Sequence, residues 1–193
     1  QSRLNLRNLV VNGEIDTSEL QIWLRLYRLM GLPEAELLQW SAQLKAALQT
    51  NTNTNTNANA ATAPLLPQHI EQLSWLGISS ASLARLAPHI NVLPVVTTVN
   101  LNTASAEVLS AAIPGLDISS ARQWENERNS KPWDSLDDLR KRMGPLAQNL
   151  SDKRHSLNTR YFQITGQLRL DGVTLLERSL VAREGIVSKT VWR

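Results

Sequence analysis

The apolar period changes from 3.6 to 2 at about Arg160, and this limits what the chain can fold into. From Tyr161 to Leu170 the alternation places Phe162, Ile164, Leu168 and Leu170 on one side. Asp171-Gly172 follows, a pair suited to the positive φ angles of a tight hairpin turn, with Val173–Ala182 as return strand and Ile186–Trp192 as a third. Three antiparallel strands with one apolar side need a helix to cover them, and no helical pattern follows. At the other end, Leu4, Leu6 and Leu9 lie in an extended segment, Ser2–Val11, that closes at Asn12-Gly13. The pattern predicts an α+β chain in which residues 1–13 and 159–193 share an antiparallel sheet interrupted by an all-α insertion over 14–158. Gln1 is not an initiator methionine, and the covering helix is expected upstream of it.

Within the insertion, Asp16 with Glu19 opens a helix that carries Leu20, Trp23, Leu24 and Tyr27 on one face and stops at Gly31. Pro33 starts a second helix with Leu37, Trp40, Leu44 and Leu48, so the two form an antiparallel pair. Residues 50–63 are a polar Asn/Thr/Ala tract with no large apolar side chain and are expected to be a flexible loop. Ile70, Leu73 and Leu76 precede Gly77, and Ser79 or Ser80 caps a helix with Leu83, Leu86 and Ile90. The layout is repeated later. Asn102 or Thr103 caps a helix with Ala106, Leu109, Ala112 and Ile113; Pro114-Gly115 stops it; Asp117 or Ser119 caps the next, with Ala121 and Trp124. A third helix, capped by Ser135, buries Leu136, Leu139 and Met143 and ends in Arg140, Lys141 and Arg142.

Composition narrows the chemistry. Charged residues are 19% and hydrophobic residues 42%, the net charge is only +3, and basic and acidic side chains are mixed, so charge alone does not predict nucleic-acid binding. No cysteine is present, which removes disulfides and thiolate metal sites. His69, His89 and His155 are scattered and read as surface or capping residues. Asp134, Asp137 and Asp138 form the densest carboxylate group and read as helix caps. Six tryptophans, at 23, 40, 75, 124, 133 and 192, read as core. No catalytic, cofactor-binding or metal-ligating residue is therefore assigned, and the chain reads as a non-enzyme.

Asn102-Thr103-Ala104, a helix, Pro114-Gly115, a helix and Trp133-Asp134-Ser135-Leu136 resemble the helix-hairpin-helix (SAM-like) modules of DNA uptake receptors, whose glycine-rich turn offers backbone N–H groups to phosphate. Here the second glycine position carries Asp117, and the first basic residue after it is Arg122. A carboxylate where a phosphate would sit predicts a retained scaffold without its anion site. A nucleic-acid-binding hairpin protein is the alternative reading.

The order of segments resembles the type II secretion minor pseudopilin family known as general secretion pathway protein K. The likeness rests on Arg3-Leu4-Asn5-Leu6-Arg7-Asn8-Leu9, Leu86-Ala87-Pro88, Leu93-Pro94, Val99-Asn100-Leu101-Asn102-Thr103-Ala104, Arg160-Tyr161-Phe162-Gln163-Ile164, Val181-Ala182-Arg183 and Val191-Trp192-Arg193. It implies a pilin-like sheet with an inserted helical domain, and a hydrophobic N-terminal helix in the inner membrane that holds the domain on its periplasmic face. It also implies a place at the pseudopilus tip with the I-type and J-type minor pseudopilins, in a system that exports folded proteins across the outer membrane. Relatives often carry an acidic calcium-binding segment after the second helix. The Thr50–Ala63 tract stands there without carboxylates, so calcium is implied only by the resemblance and no ligands are carried over.

Overall fold

The computed structural model describes residues 1–52 and 64–192. In chain order it has β1 (Leu4–Asn5), a 3-10 turn (Leu6–Leu9), β2 (Val10–Val11), β3 (Glu14–Ile15), α1 (Thr17–Leu29) and α2 (Glu34–Thr52). A 3-10 segment (Ile70–Leu76), α3 (Ser80–Leu86), β4 (Ile90–Asn91) and β5 (Val99–Asn100) follow. Then come α4 (Ala106–Ala112), α5 (Ile118–Ser130), α6 (Leu136–Met143), β6 (His155–Ser156), β7 (Tyr161–Leu170), β8 (Val173–Glu184) and β9 (Val187–Trp192).

The two long helices form as their sequence dictates. Asp16 Oδ1 accepts from Ser18 N and Glu19 N, both at 2.9 Å, and caps α1. The apolar faces of α1 and α2 meet around Trp23 and Trp40, fully buried, with ring centroids 5.3 Å apart and edge to face. Trp40 Nε1 donates to Tyr27 Oη at 2.7 Å, so the indole enters the core with its polar atom satisfied. Helix α2 runs on to Thr52, three residues into the polar tract; the rest of the loop expected over 50–63 lies outside the described residues.

The N-terminal segment departs from expectation. It does not pair with the C-terminal strands among the described residues: β1 runs parallel to β4, with Leu4 opposite Ile90 and Asn5 opposite Asn91. Leu4, Leu6, Leu9 and Val10 are buried in the same core as Trp23 and Trp40. The reason is that the Leu6–Leu9 turn breaks the period of two and drives consecutive leucines into the helical body on more than one side. Asn5 holds it there. Its Nδ2 donates to Val95 O (2.7 Å) and Thr97 Oγ1 (3.1 Å), while its Oδ1 accepts from Leu93 N and Arg7 N, both at 3.1 Å. Asn8 adds a donation to Thr97 O and an acceptance from Thr97 N. The first residues nonetheless end beside the sheet, because Gln1 Oε1 accepts from Thr159 Oγ1 and from Arg160 N.

The C-terminal strands form as expected, a three-stranded antiparallel sheet in the order β7-β8-β9. Asp171 and Gly172 take φ of 48° and 82°, the left-handed pair that a two-residue hairpin requires. Leu168 faces Leu175 and Leu170 faces Val173 in register, so the apolar side is continuous across the hairpin. That side is uncovered: Leu168 is 62% exposed and Leu175 58%. The sheet meets the body at its base, where Tyr161, Leu180 and Ala182 pack on Leu93 and Trp192 meets His69.

Because Asn5 Oδ1 accepts from the buried Leu93 N–H, which has no other partner among the described residues, Asn5→Ala leaves that N–H stranded in the interior and is expected to destabilise the chain by about 2–4 kcal/mol. Chemical denaturation followed by tryptophan fluorescence measures it; a loss below ~0.5 kcal/mol would show that the Pro94 loop is held by packing alone.

Candidate interaction surface

Two places could carry function: the α4–α5 hairpin, where an anion site was weighed, and the exposed sheet with the cleft beneath it. The hairpin is built as a closed unit. Helix α4 is capped by Ser105 and not by Asn102 or Thr103, its Oγ accepting from Val108 N at 3.4 Å. Asn102 is used elsewhere: it donates to Trp133 O at 2.9 Å and accepts from Trp133 N at 3.0 Å, tying the hairpin to the start of the third helix. At the turn, Ser110 Oγ donates to Leu116 O at 2.7 Å. Gly115 has φ of 81°, and a Cβ there would stand 3.0 Å from Leu146 Cδ2, so both conformation and contact select glycine.

Asp117 decides the anion question. Its Oδ1 accepts from Ser119 N and Ser120 N at 2.9 Å, and its Oδ2 accepts from the Ser120 hydroxyl at 2.6 Å, which together hold the carboxyl below its ordinary range. The N–H groups that a phosphate would use at the start of α5 are thus occupied by an internal anion. The nucleic-acid reading is not favoured.

The residues set aside for chemistry are dispersed in the fold. His69 is half-buried with its ring 4.8 Å from that of Trp192, and His89 Nδ1 lies 3.3 Å from Ser105 Oγ. His155 corrects the expectation of a surface or capping residue, being only 2% exposed. Ser151 N donates to its Nδ1 at 3.0 Å, which leaves Nε2 to donate to Ala112 O at 3.3 Å; burial lowers its pKa, so it stays neutral. Asp137 pairs with Arg140 at 2.7 Å and Asp138 with Lys141 at 3.6 Å, while Asp138 N donates to Ser135 Oγ at 3.1 Å. Among the described residues no group of three or more His, Asp or Glu could hold a metal ion, and no helix is long and apolar enough to cross a membrane. Of the tryptophans, Trp75 is 49% exposed and departs from the core assignment.

Sequence reasoning missed two buried ionisable groups. Arg128 donates to Leu101 O and Ala104 O from within the hairpin, with Glu125 3.5 Å away. Glu19 stands in the first turn of α1, where the sequence places it with Asp16 as a helix start, but the Asp16 N–H donates to Leu9 O at 2.9 Å and the Glu19 carboxyl is buried. Burial pushes it up to about 7, against the pull of Arg154 and Arg25 and with the push of Asp16. Only the distance along the chain from Glu19 to the apolar stripe hinted at this, since residue 19 stands one turn before Trp23 and beside Ile22.

The matches to known proteins follow the same division of the fold. Residues 2–95 match one family model and residues 99–158 another, both described as type II secretion system protein K. The chain belongs to the type II secretion system protein K family. A protein K of Pseudomonas aeruginosa, "Type II secretion system protein K", is 25% identical over 180 residues, covering 87% of this chain. The chain spans 54% of that relative's length. Both protein K models end before β7, so they cover the helical body and the N-terminal segment, and meet at the Pro94 loop that Asn5 and Asn8 hold.

Two outcomes are expected. A folded-state pKa near 7 for Glu19, against about 4.5 unfolded, means the native chain retains a proton that the unfolded chain releases, so stability falls as pH rises from about 4.5 to 7. Glu19→Gln should then stabilise the chain by about 1–3 kcal/mol at pH 8, the gain shrinking as pH falls, in denaturation curves taken across that range. In a titration with double-stranded DNA, the wild-type chain should show no affinity that falls steeply with salt; counterion-dependent binding would reopen the hairpin as a phosphate site.

Proposed function

We propose that the chain is the periplasmic part of a minor pseudopilin, a subunit at the tip of the pseudopilus that helps start fibre assembly for export of folded proteins across the outer membrane. Membership of the protein K family supports the system, and the uncovered apolar side of β7 and β8 supports the mode of action. Phe162, Ile164, Leu168 and Leu170 on β7, with Val173 and Leu175 on β8, make a surface that water does not tolerate over this extent without a covering element. A helix upstream of Gln1 fits that side, as it would in a pilin-like domain built on residues 159–193 with residues 1–13 leading into it and 14–158 as the helical outgrowth. The same helix, entering the inner membrane, would hold the domain on its periplasmic face. The I-type and J-type minor pseudopilins are the partners this reading names. Its mechanism is shape and packing, without a reaction step.

The test is co-elution. The chain carrying its upstream helix, mixed with I-type and J-type pseudopilins, should elute as one complex, and Leu168→Asp with Leu175→Asp should remove it while leaving the far-UV circular dichroism of the body unchanged. Failure of the wild-type chain to enter any complex would overturn the proposal.

A further inference from the structure

Gln1 stands at the foot of β7. Its Oε1 accepts from Thr159 Oγ1 at 3.0 Å and from Arg160 N, and its main-chain O accepts from Asn100 N at 2.9 Å. Gln1 and Ser2 line a cleft of about 920 Å³ together with Tyr161, Gln163 and Thr165 of β7. The Gln1 amino group is partly buried there, and burial together with the nearby Arg3 lowers its pKa, so the position favours an uncharged peptide N–H over a charged terminus.

Strand β7 has β8 on one flank and no strand on the other among the described residues. The ladder shows which groups the free edge offers. Arg183 N donates to Arg160 O at 2.7 Å, and Leu170 lies opposite Val173 across a two-residue turn, so the even-numbered residues of β7 turn their main-chain groups to β8. Tyr161, Gln163, Thr165, Gln167 and Arg169 turn theirs outward, along a strand of ten residues. An open row of donors and acceptors of this length is a template for a further strand.

We infer that the residues immediately upstream of Gln1 run along the free edge of β7 as a strand antiparallel to it. The direction follows from where Gln1 lies. Strand β7 leaves the body at Tyr161, which packs on Leu93, and runs outward to the turn after Leu170, so a chain that reaches Gln1 from beside it runs inward. The chain spans 54% of its Pseudomonas aeruginosa relative, which leaves length for such a strand. The pleat sets its composition: residues opposite Ile164 and Leu168 continue the uncovered apolar side, and those opposite Gln163 and Thr165 lie on the cleft side. The inference concerns the edge of the sheet and is independent of what covers its apolar side, so it stands or falls separately from the pseudopilin reading.

The test compares amide hydrogen exchange, read residue by residue by NMR, in the chain of residues 1–193 and in the same protein carrying its native upstream residues. Gln163, Thr165 and Gln167 should gain at least tenfold in protection in the longer chain, while Phe162 and Ile164, already paired with β8, change little. Thr165→Pro removes an outward N–H and leaves the β8 ladder intact, so the shorter chain should keep its far-UV circular dichroism while the longer one loses the gain at Gln163 and Gln167. Should that variant misfold, the wild-type comparison decides by itself. Unchanged exchange at the three outward amides, or a gain on the outer edge of β9 instead, would overturn the inference. So would protection in the shorter chain that rises with its concentration, which would put a second copy on the edge, or protection of the longer chain that appears only on adding another pseudopilin, which would assign the edge to that partner.

Discussion

The structure depends on how the main chain of the Leu93–Thr97 loop is satisfied. The Leu93 N–H is buried where the N-terminal segment threads into the helical body, and a buried peptide group without a partner is destabilising by a few kcal/mol. Two-residue strands cannot supply enough ladder, so Asn5 and Asn8 supply the missing donors and acceptors from their side-chain amides. Once those bonds are made, the first ten residues have one place to go. Leu4, Leu6 and Leu9 complete the core beneath α1 and α2, and Gln1 is delivered to the foot of β7. The docking of the sheet on the body therefore rests on two asparagines some ninety positions from their partners.

The same economy runs through the α4–α5 hairpin. Seven residues are too few for a stable isolated helix, and α4 survives because it is buried along its length and capped from outside. At its start the Ala106 N–H donates to Glu125 of α5; at its end the carbonyls of Ala111 and Ala112 accept from Arg25 of α1 and from His155. Arg128 closes the approach to the helix by taking Leu101 O and Ala104 O. Each buried ionisable group in this region is spent on a helix end or a loop carbonyl, or, in Glu19, held by burial in its neutral form up to about pH 7. Such groups are positioned to fix shape. Asp117 follows the same pattern, its carboxylate taking the N–H groups at the start of α5.

The body and the sheet differ in finish. The body buries four aromatic side chains to 6% exposure or less, Trp23, Tyr27, Trp40 and Trp133, and ties its loops with side-chain hydrogen bonds. The sheet projects from it with an apolar side and an edge both open. The proposed assembly role would use both properties: a rigid shape that keeps its surfaces in register, and surfaces that are incomplete until another element arrives.

What the amino-acid sequence determined by itself was local. The Asp171-Gly172 hairpin and its register, the caps at Asp16, Asp117 and Ser135, and the apolar stripes of α1 and α2 follow from interactions within a few residues, and they were legible. The family was legible too, through short segments in a fixed order, and so was the carboxylate of Asp117 at the start of α5. What only the tertiary structure decided was pairing at a distance: that Ser2–Val11 joins Ile90–Asn91 and not the C-terminal strands, that Glu19 and His155 are interior, and that Asn102 reaches Trp133 instead of capping α4. An asparagine or a histidine carries the same local signature whether its partner is three residues away or ninety. The choice is made by which main-chain groups the packing leaves without water, and that is a property of the assembled core.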